Sequence, residues 1–489
     1  MSRSSLAVTT ADEAEFGEQR VVTLRVFSSH VHRLGVLALV EGAVVILALH
    51  AAMFIRFAGF SSPFRAFEVS VGGVWPKALL IATAFLLSMG AVGLYQLRQR
   101  ARFPGVLIRL LIASTVAQLA LALVFYLAPS LYVGRGVFVL TGGFAFIGLA
   151  IVRYVFLQLV DEALFKRRVL VWGAGKRAAS ITDQLRRRTD QRGFRIVGYV
   201  PAPGDLGAQA PAAQVMPAQA TLTALALRHK VEEIVVAMDD RRGGFPAADL
   251  LECRLRGIEV SDIMTFVERE SGRVSVELMD PSWLIFSQGF RCSLLRIASK
   301  RLFDIGVSAG LLVITAPVAL LAALAVYLED RGPVLYRQVR TGRNGRLFTI
   351  YKFRSMRTDA ERDGVAVWAG RDDPRVTRVG AFLRRSRIDE VPQLVNVLLG
   401  SMSLVGPRPE RPSFVDQLAG AVPFYRQRHF VKPGITGWAQ VRYSYGASHT
   451  DGKRKLEFDL FYVKHHSLAF DLMVLVQTVE IVLFRIGSR

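Results

Sequence analysis

Long apolar runs constrain this chain more than any other feature. Four fill the first third, over residues 34–55, 78–95, 110–127 and 136–151. Each approaches the roughly 20 residues an α-helix needs to cross a hydrocarbon core. Loops on the cytoplasmic side of a membrane collect arginine and lysine. Arg98, Arg100 and Arg102 lie between the second and third runs, and Arg153, Lys166, Arg167 and Arg168 follow the fourth. The loop between the third and fourth offers only Arg135. The pattern predicts a four-helix transmembrane bundle over residues 33–160, with both ends facing the cytoplasm. A polar cytoplasmic segment, residues 1–32, precedes it; it contains Asp12, Glu13, Glu15 and Glu18 and has no signal-peptide pattern. Glu41 lies inside the first run, where a carboxylate is either functional or one end of an interhelical hydrogen bond.

A fifth run, residues 305–328, is flanked by cations on both sides. Arg296, Lys300 and Arg301 precede it, and Arg331, Arg337, Arg340, Arg343 and Arg346 follow. A simple span would strand one cluster on the wrong side of the membrane. Pro317 sits near the middle, where it removes a helix hydrogen bond. The expectation is a re-entrant helix-break-helix over residues 302–328 that dips into one leaflet and returns, in preference to an ordinary kinked span.

At 489 residues the chain exceeds one ordinary domain. Hydrophobic residues make up 52% and mean hydropathy is +0.33, as membrane segments require. A net charge of +22 calls for an anionic partner, either membrane phospholipid or a phosphorylated substrate. No nucleic-acid-binding motif accompanies the charge, so nucleic acid is not expected. Cys253 and Cys292 fit no zinc spacing and are expected to be reduced and buried in a cytosolic domain.

Residues 166–290 read as a Rossmann-like parallel α/β domain. Strand-like stretches at 169–172, 195–200, 231–237 and 257–260 alternate with helical ones such as 178–188, and residues 201–220 read as a Pro/Ala/Gly-rich loop. Gly173-Ala174-Gly175, followed by Lys176 and by Ala178, approximates a dinucleotide fingerprint. The third glycine is alanine, and Pro201 stands where a ribose-binding acid belongs. Two readings stand: a tight turn with no ligand, or a nucleotide site at Gly173, Gly175 and Lys176.

Residues 296–489 carry the chemistry. Asp389 and Glu390 are adjacent, with Arg384, Arg385 and Arg387 just before them. Lys352 and Arg354 alternate along a strand-like stretch, residues 351–356, and Arg408 sits in the rigid turn Gly406-Pro407-Arg408-Pro409-Glu410. Arginines in rigid settings suit bidentate phosphate contact. Ser386 followed by Asp389 also fits a helix capping box, with Pro392 in an early turn. A carboxylate among arginines at a helix start is expected to have a depressed pKa and stay ionised, as a nucleophile must. Its neighbour suits Mg²⁺, which takes one or two carboxylates plus substrate phosphates. Cap and catalytic acid remain open together on spacing alone.

Residues 300–305, 332–356, 384–393, 404–410 and the stretch Lys432-Pro433-Gly434-Ile435-Thr436-Gly437-Trp438-Ala439-Gln440-Val441 resemble the bacterial monotopic phosphoglycosyl transferases. These are polyprenyl-phosphate glycosyl-1-phosphate transferases. The whole layout resembles their large exopolysaccharide branch: four membrane helices, a Rossmann-like module of the CoA-binding type, then an α/β catalytic domain anchored by a re-entrant helix. The resemblance implies that Asp389 attacks the β-phosphate of a UDP-sugar, glucose or galactose in this branch, and releases UMP. Undecaprenyl phosphate then accepts the phosphosugar. It further implies Mg²⁺ on Glu390, phosphate neutralisation by Lys352, Arg354, Arg384 and Arg408, and Pro317 as the helix-breaking proline. Small members carry serine before that proline, where this chain has Ala316. Arg385 and Arg387 are expected in salt bridges or at lipid headgroups. The setting implied is the bacterial inner membrane, with both soluble domains cytoplasmic and a homodimeric assembly.

Trp438, residues 424–430 and residues 468–484 are read either as a membrane-facing surface or as core. Rival classes are a nucleotide-sensing membrane regulator, a transporter, and a glycosyltransferase that releases UDP instead of UMP.

Overall fold

The computed structural model describes residues 35–95, 103–159, 166–187, 190–191, 193–205, 207, 209–217, 221–240, 244–279, 285–287, 289–290, 293–358, 360, 373–443 and 449–484. The N-terminal segment 1–32, the Arg98–Arg100–Arg102 cluster and Cys292 lie outside them. The chain divides into two compact units, Met1–Ser271 and Gly272–Arg489.

Among the described residues five helices are long and apolar enough to cross a membrane: Gly35–Arg56, Val74–Ala91, Phe103–Leu127, Arg135–Gln158 and Leu294–Asp330. In the first four, Leu49, Met53, Ile81, Phe85, Leu110, Leu121 and Leu149 are buried, while Leu39, Leu87, Leu119 and Val139 stay exposed. An apolar exterior around an apolar interior suits a lipid solvent. Glu41 is fully buried and takes the interhelical option: Arg153 Nε lies 2.6 Å from its Oε1, and Tyr95 Oη donates to its Oε2 at 2.5 Å. Arg153 also donates to the Leu94 carbonyl at 2.9 Å. Arg153 is therefore an inward-facing partner of Glu41 rather than a loop marker. A carboxylate inside an apolar bundle is costly until a cation answers it.

The remainder of this unit is a parallel sheet in the order β2-β1-β3-β4, with β1 Arg167–Trp172, β2 Phe194–Val200, β3 Glu233–Val236 and β4 Glu259–Asp262. Leu170, Val200, Ile234 and Val236 form one core with Leu222 and Leu250 from the crossover helices Leu222–Arg228 and Ala247–Leu255. Burial on both faces explains the unbroken apolar run of β1. Cys253 is free and buried in that core. Within the described part of 201–220 a short 3₁₀ turn, Ala212–Gln214, and a β-bridge from Val215 to Tyr199 interrupt the loop.

The second compact unit begins at Gly272. Val274 packs with Leu418, Tyr425 and Leu456, and its amide donates to the Glu457 carbonyl at 3.0 Å. Arg273 pairs with the Glu457 carboxylate. The stretch after Ser271 thus has its core in the second unit, a long-range preference invisible to local patterning.

The helix Leu294–Asp330 opens this unit, and Pro317 lies inside it without interrupting the helical backbone. The expected break is thus no gap in the helix; a proline removes one hydrogen bond, a loss membrane helices tolerate. Both ends of the helix dock on the same unit. At its start, Arg301 donates to the Val397 and Leu398 carbonyls at 2.6 and 2.7 Å, and Asp304 accepts from the Leu404 amide at 3.3 Å. At its end, Ala322 and Val326 pack with Phe353 and Leu383, and Asp330 pairs with Arg354. Between them Val313, Ile314, Leu320 and Leu321 are exposed.

An antiparallel hairpin follows, β5 Leu335–Thr341 and β6 Leu347–Phe353. The short parallel pair β7 Ser403–Val405 and β8 Gly434–Thr436 completes the sheet content among the described residues. Ile350, Leu394, Val397, Met402, Leu404, Phe458 and Tyr462 share one core with Trp438. Trp438 is buried, its Nε1 donating to the Gly272 carbonyl at 2.7 Å, so it is core and not a headgroup anchor. Helix Leu468–Phe484 divides: Val474 and Val476 are buried, Val479 and Val482 exposed.

Candidate active site

The acid pair sits where two helices meet. Helix Arg378–Ser386 ends at Arg387, whose φ of 61° turns the chain into a 3₁₀ turn, Ile388–Glu390. Helix Gln393–Leu399 starts directly after Pro392. Ser386 is inside the last turn of the first helix, where its hydroxyl donates to the Phe382 carbonyl at 2.8 Å. The expected capping box is therefore absent. The cap with side-chain bonding is Thr377, which accepts from the Gly380 amide at 3.0 Å. Asp389 is free of a capping role.

Lys352 reaches the pair from β6. Asn396 fixes the spacing between strand and helix: its Oδ1 accepts from the Tyr351 amide at 3.1 Å and its Nδ2 donates to the Thr349 carbonyl at 2.7 Å. Lys352 Nζ donates to Glu390 Oε1 at 3.0 Å, Arg408 lies 3.4 Å from the same oxygen, and Arg387 lies 3.7 Å from Oε2. Burial alone would push the Glu390 carboxyl up, but Lys352, Arg408 and Arg387 pull it down to about 2.

Asp389 differs. It is buried, and burial raises its carboxyl above the ordinary value, with the adjacent Glu390 charge adding to the rise. Lys352, Arg387 and Arg384 oppose this without reversing it. The depressed pKa expected from sequence belongs to Glu390, not Asp389, because Glu390 is the acid that the cations touch. A partly desolvated carboxylate is also a stronger nucleophile once ionised.

Arg408 is held through its backbone. Arg428, itself buried, donates to the Arg408 carbonyl at 3.0 Å, to Tyr425 Oη at 2.6 Å, and lies 2.8 Å from Asp459 Oδ2. Burial pushes the Asp459 carboxyl up to about 6 against the pull of Arg428. A small cleft in front of Glu390 is lined by Arg340, Lys352, Gln393, Arg408, Pro409 and Ile435. Arg340 donates to the Pro409 carbonyl at 3.1 Å.

Lys352, Glu390 and Arg408 are thus brought together with Asp389 beside them. Arg384 stands in the last turn of its helix, near enough to stabilise the Asp389 anion. Arg354 turns away to Asp330, one residue beyond the end of β6. A side chain at Gly332 would collide with its guanidinium. Arg387 makes the expected salt bridge, to Glu390. Arg340, Gln393, Asn396, Arg428 and Asp459 were not singled out from sequence. Only Arg340 carried a signal, as one member of a basic run.

Among the described residues no cluster of three or more His, Cys, Asp or Glu could hold a metal. The donor set at Glu390 fits Mg²⁺ only as a site completed by substrate phosphate oxygens and water, which is the usual habit of that ion.

Residues 295–485 match the family described as bacterial sugar transferase. An exopolysaccharide production protein of Rhizobium leguminosarum bv. phaseoli is 44% identical over 189 residues, which cover 37% of this chain and 92% of that relative. The chain belongs to the bacterial sugar transferases. An N-acetylgalactosaminephosphotransferase acting from UDP-N-acetylgalactosamine to undecaprenyl phosphate, from Aeromonas hydrophila, is 41% identical to the transferase over 251 residues, 51% of this chain. An undecaprenyl-phosphate glucose phosphotransferase of Komagataeibacter xylinus is 36% identical over 324 residues, 64% of this chain. The matches span 58% of the length of each of these two relatives.

Residues 90–243 of the transferase match a family described as CoA-binding domain. Within them, Gly173 has φ +128° and opens the turn after β1, and Gly175 precedes helix Lys176–Gln184. Three amides of this turn, those of Ala174, Lys176 and Arg177, donate to carboxylates. Lys176 and Arg177 donate to the Asp239 carboxylate at 3.0 and 2.8 Å. Ala174 and Ala202 donate to Asp205 at 2.8 and 2.9 Å.

Proposed function

We propose that the transferase moves a hexose 1-phosphate from a UDP-sugar to undecaprenyl phosphate, by way of a covalent phosphosugar on Asp389. An Asp389 carboxylate oxygen bonds to the β-phosphorus, the bond from that phosphorus to the oxygen of the α-phosphate breaks, and UMP leaves. A phosphate oxygen of undecaprenyl phosphate then attacks the same phosphorus, the Asp389–phosphorus bond breaks, and the carboxylate is regenerated. One observation carries this reading: of two adjacent acids, Glu390 is neutralised by Lys352 and Arg408 while Asp389 is buried beside them with a raised pKa. Lys352, Arg408 and Arg384 would offset the charge of the transferred phosphate, the term that dominates phosphoryl transfer. Mg²⁺ would be held by Glu390 with substrate phosphates and supplies charge neutralisation when bound. Arg354 acts indirectly, by tying the end of the long helix to the site.

The names of the relatives support glucose or N-acetylgalactosamine as the sugar and exopolysaccharide production as the pathway class; O-antigen synthesis rests on the resemblance alone. The long helix is proposed to enter one leaflet and return, since both its ends dock on one unit; the protein would then sit in the bacterial inner membrane with its soluble parts cytoplasmic. The homodimer rests on the resemblance alone. For Gly173, Gly175 and Lys176 we propose a structural turn, because Asp239 and Asp205 take the amides a nucleotide needs; this disfavours the nucleotide-sensing regulator.

The test is a UMP-release assay across UDP-sugars with full-length protein in membranes containing undecaprenyl phosphate. UMP release with an Asp389-linked phosphosugar in the mass spectrum is expected. UDP release, or none from any donor, overturns the reading. Cysteines placed before Arg301 and after Arg331 should label from the same side of the membrane.

A further inference from the structure

Buried polar groups are nearly always paired, and each exception asks for a reason. Gln393 is such an exception at the site itself. It is the first residue of helix Gln393–Leu399, the residue is 3% exposed, and its buried Nε2 has no hydrogen-bond partner. It lines the cleft one turn after Glu390, alongside Arg340, Lys352 and Arg408.

These neighbours define what the free amide can meet. Lys352 and Arg408 are engaged by Glu390, and a terminal nitrogen of Arg340 by the Pro409 carbonyl, while Arg340 Nε, like the Gln393 amide, has no partner. Gln393 offers a neutral donor that nothing in the protein uses, in a cleft lined also by the cations Arg340, Lys352 and Arg408. The cost of an unmade hydrogen bond in the resting protein is recovered only when something accepts from that donor. Pre-set donors aimed at the place where charge develops are also the most effective form of transition-state stabilisation.

We propose that Gln393 is a further catalytic residue, whose side-chain amide donates to a non-bridging oxygen of the phosphate being transferred. The proposal rests on the phosphosugar-transfer reading above. It goes beyond that reading by adding an uncharged donor to the cationic wall and by assigning the Gln393 side chain to substrate rather than to the fold.

The experiment compares wild type with Gln393→Met, which keeps length and removes the donor, in full-length protein in lipid nanodiscs. Two quantities are read: the rate of UMP release with the preferred UDP-sugar, and the melting temperature without substrate. Turnover is expected to fall about 10- to 100-fold, mainly in kcat. The substrate-free melting temperature is expected to hold or rise, because an unpaired buried donor has been removed. Turnover within twofold of wild type overturns the proposal. So does a loss of turnover accompanied by a lower substrate-free melting temperature, which marks a structural role. Gln393→Glu, of nearly the same shape, should lose more activity than the methionine variant, because an ionised side chain repels phosphate. Equal or greater activity in the glutamate variant also overturns it. Wild-type protein that releases no UMP defeats the phosphosugar reading and this proposal together; active wild type with an active methionine variant defeats this proposal alone.

Discussion

Two turns of this transferase bring carboxylates to helix starts, and they end in opposite states. After β1, Asp239 accepts from the amides of Lys176 and Arg177, and Asp205 from that of Ala174. After helix Arg378–Ser386, Glu390 is matched by cations from β6 and from the Arg408 turn, yet Asp389 and the Gln393 amide stay uncommitted. The glycine turn has the residues of a ligand site but uses its donors internally. The acid-pair turn has the residues of a helix cap but keeps reactive groups in reserve. What separates them is the state of their hydrogen-bond partners, not their residue types.

The sharpest way to break this comparison is to substitute one acid on each side. Asp389→Asn should lower UMP release by on the order of 10⁴-fold or more and abolish the covalent phosphosugar, as loss of a nucleophile does. Asp239→Asn should leave turnover within about twofold. Equal effects would erase the distinction. Lys352→Met comes next: it strips Glu390 of its nearest cation and should reduce kcat on the order of 10²-fold, read from steady-state UMP release.

The pH response sharpens the contrast within the acid pair. Asp389 must be ionised to attack, and burial with Glu390 raises its pKa above 3.8, so kcat/KM should fall with falling pH in a limb centred above that value. A raised folded pKa disfavours the folded state as pH climbs past the ordinary value. Asp389→Asn should therefore melt at a higher temperature than wild type near neutrality. Glu390 has the opposite sign. Its folded pKa of about 2 lies below the ordinary 4.5, so its stabilisation is complete above 4.5 and is lost as pH falls through about 2. The linkage is worth at most about 3 kcal/mol. Melting curves from pH 2 to 6 should show this loss in wild type and a smaller one in Lys352→Met.

The smallest expected effect is at the glycine turn. Asp239→Ala leaves two amides without their acceptor, at a cost of about 1–2 kcal/mol. It should appear as earlier melting with unchanged turnover.

The acid pair, Lys352 and Arg408 were legible in the sequence because each sits in a short, chemically dense motif; the helix around Pro317 was legible as an apolar run, without the gap expected at the proline. The parallel sheet was legible because strands buried on both faces leave unbroken apolar runs. Other features were not. Arg428 and Asp459 carry no local pattern, since their role is to grip the Arg408 carbonyl from distant helices. Asn396 reads as an ordinary polar residue until β6 is laid against it. Trp438 suits a headgroup region by residue type, and only packing with Phe461 and Phe470 assigns it to the core.

Sequence by itself determined which segments are apolar enough for a membrane, which strands are buried, and which family's motifs the last third carries. These depend on composition and spacing along the chain. Tertiary structure decided which acid the cations neutralise, whether a glycine turn keeps its amides free, and where the unit boundary falls after Ser271. Those outcomes depend on which distant groups arrive within hydrogen-bonding reach, because the energy of a buried charge or amide is set by its neighbours in space.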